Sequence, residues 1–267
     1  MTEQEWLNCT DPMPMLEFLR GKSSDRKLRL YACACCRLVW HQLVDPRSRR
    51  AVEVAERYAD GLAPSEELKS AGDTARNVIA DLFRSEEHYP PAFAAVATTV
   101  TVWKADAIAA QASITCFPFR SRIGSERRSK AVREAQKAAR LKWRTARSHQ
   151  AHLLHDLFGR LPFRTGVVEA AWLSWHSKLI ASMAQQMYDS RDFADMPVIA
   201  DALEEAGCTN KDILRHCRGF REVVIRNPAH MSAAALESGA IEELVWLPTT
   251  DPHVRGCWVV DLILGKE

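Results

Sequence analysis

Eleven glycines and twelve prolines leave a chain of 267 residues with little to break it into short elements. Long stretches without turn formers favour helices over a many-turned β fold. The breakers that do occur sit where helices begin and end. Asp11-Pro12, Asp45-Pro46 and Asp251-Pro252 each place a capping carboxylate before a proline preset for the first helical position. Thr2 and Glu5 have the spacing of a capping box ahead of Trp6. Gly21, Gly61, Gly239 and Gly265 stand where helices stop, and Gly159 opens a loop.

Apolar periodicity between these marks predicts an all-α fold, a multi-helical bundle or array of about eight to eleven helices. A short irregular or β insertion is expected near 220–250, where Glu222-Val-Val-Ile225 reads as a strand and Ser232 as the cap of a small helix. One helix is expected over 24–44. Apolar side chains surround its axis from position 30 onward, so it should be the enclosed central element, with Trp40 mostly buried. Separate helices are expected from Ser65 and over 73–84. A long Ala-rich helix is expected over 90–114, ended by Phe117-Pro118-Phe119. A basic helix starts at Ser125 or Ser129 and runs to Phe158. Others cover 168–187, 196–206 and 210–217, and a terminal helix starts at Asp251-Pro252. The chain is expected to be a single helical unit over 1–267. Its subregions are N-terminal helices (1–118), the long basic helix (119–160), helical hairpins (161–219), the insertion (220–250) and the terminal helix (251–267).

Three blocks of residues go further. Met15-Leu-Glu-Phe-Leu-Arg-Gly-Lys22, Ser24-Asp-Arg-Lys-Leu-Arg-Leu30 and Cys33-Ala-Cys-Cys-Arg37 with Trp40 form the first. The second is His152-Leu-Leu-His-Asp-Leu-Phe-Gly159 with Pro162-Phe-Arg164 and positions 188–219. The third is His253-Val-Arg-Gly-Cys-Trp-Val-Val-Asp261 through Gly265-Lys266. In these blocks the chain resembles an uncharacterised bacterial family of many paralogues. The resemblance implies one predominantly helical unit and carries no activity with it. Positions 220–250 look inserted relative to that family.

The opening residues have no basic segment followed by an apolar run, and no apolar stretch reaches the roughly 18 residues of a bilayer span. A cytoplasmic protein with no membrane partner is the expectation. The eight cysteines, at 9, 33, 35, 36, 116, 208, 217 and 257, then read as reduced thiols that pack as small hydrophobes.

Charge is the most uneven property. The chain carries only +2 overall, yet positions 120–147 hold eleven Lys or Arg against two Glu. Lys130, Arg133, Lys137, Arg140, Arg144 and Arg147 recur at helical spacing and share one face, while Val132, Ala135, Ala139, Trp143 and Ala146 form another. Such a face suits a phosphate backbone, an anionic lipid surface or an acidic partner, and its bland explanation is a solvated face paired with acidic helices of the same chain. Trp143 alone interleaves it, so single-strand stacking has little support.

Two metal readings follow. His149, His152 and Asp156 lie about a turn apart on the same helix and can converge on one cation. Cys33 and Cys36 share a helix face near His41. A complete site there needs Cys9, Cys208, His216, Cys217 or Cys257, because zinc knuckles draw ligand pairs from separate loops. The bland explanations are ordinary helix-face histidines beside the basic stripe for the first set and buried small thiols packing close helices for the second. The acidic group Asp201, Glu204 and Glu205 reads as a solvated face. Gly-x-Ser-x-Gly, Gly-x-Gly-x-x-Gly and the phosphate-loop pattern are absent. The leading expectation is therefore a non-enzymatic protein with another protein as partner and no cofactor. Nucleic-acid binding by the basic helix is the alternative, and a metal-dependent hydrolase built on His149, His152 and Asp156 is the third.

Overall fold

Side chains cap helices at Thr2, Asp11, Ser24, Asp45, Asn210 and Ser232, as the sequence expects. The computed structural model describes residues 1–84, 90–99, 130–160, 162–164, 166–226, 228–249 and 253–266. In its first part, α1 (Glu3–Asn8), α2 (Pro12–Leu19), α3 (Asp25–Leu38), α4 (Pro46–Ala59), α5 (Ser65–Arg84) and α6 (Pro90–Ala97) follow in order. The long α7 (Lys130–Phe158) is followed by α8 (Ala170–Ser174), α9 (Leu179–Ser190), α10 (Met196–Glu205) and α11 (Lys211–Cys217). A hairpin then intervenes, β1 (Phe220–Ile225), α12 (Ala233–Glu237) and β2 (Glu243–Pro248), before the last helix α13 (Trp258–Leu264). The fold is all-α with one two-stranded antiparallel sheet set into it. The expected start at Ser125 or Ser129, the stretch 100–119 and Asp251-Pro252 lie outside the described residues. Among those described, no helix is long and apolar enough to cross a membrane.

The chain divides into two compact units, Thr10–Leu154 on one hand and Met1–Cys9 with His155–Glu267 on the other. In the first, α3 is enclosed as expected. Tyr31, Cys33, Cys35 and Cys36 are all buried on it, and the Cys33 Sγ packs 3.8 Å from the Val52 carbonyl of α4. Arg37 grips Glu56 of α4 through Nε and Nη2 at 3.0 and 2.9 Å. Arg29, also buried, donates to the Thr98 carbonyl.

Three expectations in this unit need correction. The Ala-rich helix expected over 90–114 leaves helical backbone after Ala97, at a turn over 98–99. The predicted helix over 24–44 ends at Leu38, and a 3-10 turn, Trp40–Gln42, replaces its last part. The residue before a proline is pushed to extended backbone, so the chain must leave helix before Asp45 caps α4. Leu43 stays buried, Val44 is solvent-exposed, and Trp40 is only half-buried beneath the guanidinium of Arg37 at 4.0 Å. The two helices expected around 65–84 are the single α5. Gly72 does not end it. A Cβ there would collide with the Thr99 side chain, so the glycine serves the close approach of the chain beyond α6.

The second unit is built on α9, α10, α11 and α13, with Ile180, Tyr188, Met196, Ile199 and Val259 in its core. Trp6, on α1 after the Thr2–Glu5 capping box, is buried with its ring edge-on to Phe158 and Phe163. Its indole N–H donates to the Gly159 carbonyl at 2.9 Å, and His155 Nε2 bonds its carbonyl at 2.8 Å. Gly159 has φ +50, and a Cβ would press on the indole of Trp258 at 2.7 Å. The strand expected at 222–225 lies within β1, paired with β2 from Phe220↔Pro248 to Ile225↔Glu243.

Candidate functional site

The closed hairpin sets the geometry of the site. Asn210 caps α11 by accepting from Asp212 and Ile213, so His216 falls at the C-terminal end of that helix. The chain departs into β1, returns through β2, and the Thr249 amide bonds the Gly219 carbonyl at 2.8 Å. Positions 216 and 253, far apart in sequence, are thereby brought side by side. The two imidazoles meet edge to face with ring centres 4.8 Å apart.

Asp156, on the last turn of α7, lies between them. Its Oδ1 is 2.6 Å from His253 Nδ1 and 3.4 Å from His216 Nε2. Its Oδ2 accepts from the Val254 amide at 2.9 Å. Cys257 completes the group, with Sγ 3.1 Å from His216 Nε2 and 3.8 Å from His253 Nδ1. One ligand atom from each of the four residues lies within 4.8 Å of all the others. Trp258 covers the His216 ring at 5.2 Å.

Burial and charge act together here. Burial alone would raise the Asp156 carboxyl, but His253 and His216 outweigh it and hold the group below the usual carboxylate range. Burial, reinforced by the Asp156 charge, pushes the Cys257 thiol up. Cys217, buried beside them, is raised for the same first reason.

The expected terminal helix from 251 must be corrected accordingly. α13 starts at Trp258 because Asp156 ties down His253 and Val254 in non-helical backbone, and the Cys257 amide closes a turn on Val254 at 2.8 Å.

Of the residues that the sequence marks as metal ligands, Asp156 enters this cluster. His149 is exposed and His152 half-buried, and neither is among its members. Sequence spacing offers His216 and Cys257 only as distant completions of the Cys33 and Cys36 pair, and nothing local to His253 marks it as a ligand. The signal that was available is the mixture of His, Cys and Asp in the blocks 152–159, 216–217 and 253–257.

Of the basic stripe, Lys137, Arg140 and Arg144 are exposed. Arg147 is turned to the protein, bonded to Asp11 and stacked over Trp143 at 4.8 Å. Lys130 and Arg133 belong to α7, and their side chains lie outside the described residues. The apolar stripe is not closed over at Trp143, which is 42% exposed, and Leu141 is 66% exposed. Asp201 and Glu204 are exposed and pair with Arg218 at 2.8 and 2.5 Å, as an ordinary surface cluster does.

No family model matches the chain, nor does any curated protein or solved structure.

Proposed function

We propose that this chain is a non-enzymatic helical protein that engages an acidic surface of another protein through the basic segment of α7. The observation that carries the reading is the run from Arg140 to Thr145, where every residue of the helix is exposed. Leu141 and Trp143 are uncovered there among Arg140, Lys142 and Arg144. Aromatic and Arg side chains together are the composition of protein interface centres, whereas a phosphate backbone recruits cations and has no use for an exposed leucine. Arg147 is engaged with Asp11, which shortens the cationic row open to phosphates.

A photo-crosslinking residue at position 141 tests the reading in cells that make the protein. The expected result is a discrete protein adduct that disappears when Lys137, Arg140 and Arg144 are all changed to Glu. Binding to mixed-sequence duplex DNA is measured alongside across a salt series. Three phosphate contacts would give a log–log slope of about −3. That slope, with no protein adduct, would replace the protein partner by nucleic acid.

A further inference from the structure

A carboxylate, two imidazoles and a thiol meeting in a buried place admit two explanations. The first is a nucleophilic relay, in which a thiol, a base and an orienting acid act in series. A relay needs the acid and the nucleophile on opposite nitrogens of the ring, because the proton enters at one while the other is held. Asp156 and Cys257 instead approach the same Nε2 of His216, at 3.4 and 3.1 Å. They also approach the same Nδ1 of His253, at 2.6 and 3.8 Å. Neither ring stands between its acid and its thiol. The four donors face one common centre, which is the arrangement of a coordination shell.

Distance, charge and donor type agree with that second explanation. Metal bonds of about 2.0–2.3 Å place tetrahedral ligand atoms about 3.3–3.8 Å apart. The separations of 3.1, 3.4 and 3.8 Å lie within a few tenths of that range, and the 2.6 Å contact is a hydrogen bond that an ion would open. The side chains of Asp156, His253 and His216 are 11%, 14% and 16% exposed, and Cys257 is fully buried. A site so enclosed tolerates little net charge. A dication, one carboxylate and one thiolate sum to zero. Nitrogen, sulfur and a single oxygen suit zinc, whereas calcium and magnesium require oxygen shells.

We propose that Asp156, His216, His253 and Cys257 form a closed, structural Zn²⁺ site. Four protein donors fill the tetrahedron and leave no position for a reactive water, which separates this site from hydrolytic zinc centres. On binding, the Cys257 S–H bond breaks, the thiolate gives an electron pair to the ion, and the proton leaves to solvent. In the bound state each neutral ring keeps its one proton on the nitrogen away from the ion, Nε2 of His253 and Nδ1 of His216, which leaves His253 Nδ1 and His216 Nε2 free to coordinate. Asp156 Oδ1 turns from hydrogen bonding to coordination, while Oδ2 keeps the Val254 amide and fixes the carboxylate's orientation. The ion joins the end of α7, the end of α11 and the loop before α13, and clamps both ends of the hairpin between them.

The full chain, stripped by chelation, is titrated with Co²⁺ as the spectroscopic probe and then with Zn²⁺. The expected result is uptake of about one equivalent, with intense tetrahedral d–d bands and a thiolate-to-cobalt charge-transfer band, both removed by Zn²⁺. Cys257→Ser should lose the charge-transfer band, and Asp156→Asn should weaken uptake by more than about tenfold. His149→Ala and Cys33→Ser should change neither. Absence of the tetrahedral bands from the unsubstituted chain overturns the proposal, and so does a charge-transfer band that survives Cys257→Ser. The titration of the unsubstituted chain decides the matter even where a substituted chain fails to fold.

Discussion

Cys33, Cys35 and Cys36 crowd four positions of one helix, while Cys257 stands alone in the sequence, yet it is Cys257 that meets other donor groups. The difference is geometric. On α3, successive side chains fan out around the axis, so Cys33 turns to the Val52 carbonyl and all three thiols are absorbed into packing. Cys257 lies in a turn tied to Asp156, and turns and helix ends from separate segments can aim at a single point. Density of one residue type along a helix is therefore a poor guide to a site. Convergence of different residue types from helix ends is a better one. The two units differ in the same way. Among the described residues, Thr10–Leu154 is held by packing and by partly buried ion pairs such as Arg26–Asp60 and Arg37–Glu56, whereas the other unit adds a cluster of donors.

The largest effect that sharpens this contrast concerns one of these ion pairs. Glu56→Ala leaves Arg37 without its carboxylate partner on α4 and should destabilise the Thr10–Leu154 unit by about 3 kcal/mol, the low end for buried pairs because Arg37 keeps some solvent. Hydrogen exchange at the amides of α3 and α4 reports it, and unchanged protection there would remove the pair from the account. Next in size is the metal. At a free Zn²⁺ concentration of 100 times Kd, the unit with Asp156 should gain about 2.7 kcal/mol in urea denaturation. Cys33→Ser should keep that gain and Cys257→Ser should lose most of it. The reverse pattern would break the comparison of the two cysteine sets. Gly72→Ala should cost about 1–3 kcal/mol, since the new methyl must displace Thr99, and a melting temperature equal to that of the parent would show that the chain beyond α6 yields freely. Smallest is Arg147→Ala. Its contact with Asp11 is half-open to solvent, so about 0–1 kcal/mol is expected, and a larger loss in thermal unfolding would assign Arg147 to the core instead of the surface.

Particular residues show how far the chain could be read in advance. The caps at Thr2, Asp11, Ser24, Asp45, Asn210 and Ser232 all act as their spacing predicts, because a cap is a contract between neighbours two or three residues apart. The all-α class follows from such local terms together with apolar periodicity, and so does the strand at 222–225. Nothing local marks β2, since its pairing with β1 is decided across some twenty intervening positions. Trp40 lost its expected helix because the restart at Asp45-Pro46 acts backward on the residues before it.

What the sequence by itself determined is the helical class, most helix starts, the exposed cations of α7 and the presence of Asp156 among donor-rich residues. Only the tertiary structure decided that Asp156 belongs with His216, His253 and Cys257, that Gly72 is an approach point and not a stop, and that Arg147 turns inward to Asp11. The physical reason is range. Capping, propensity and periodicity act within a turn or two of the chain. A cluster of ligands exists only once the hairpin between positions 216 and 253 has closed and α7 has delivered its last turn to the same place.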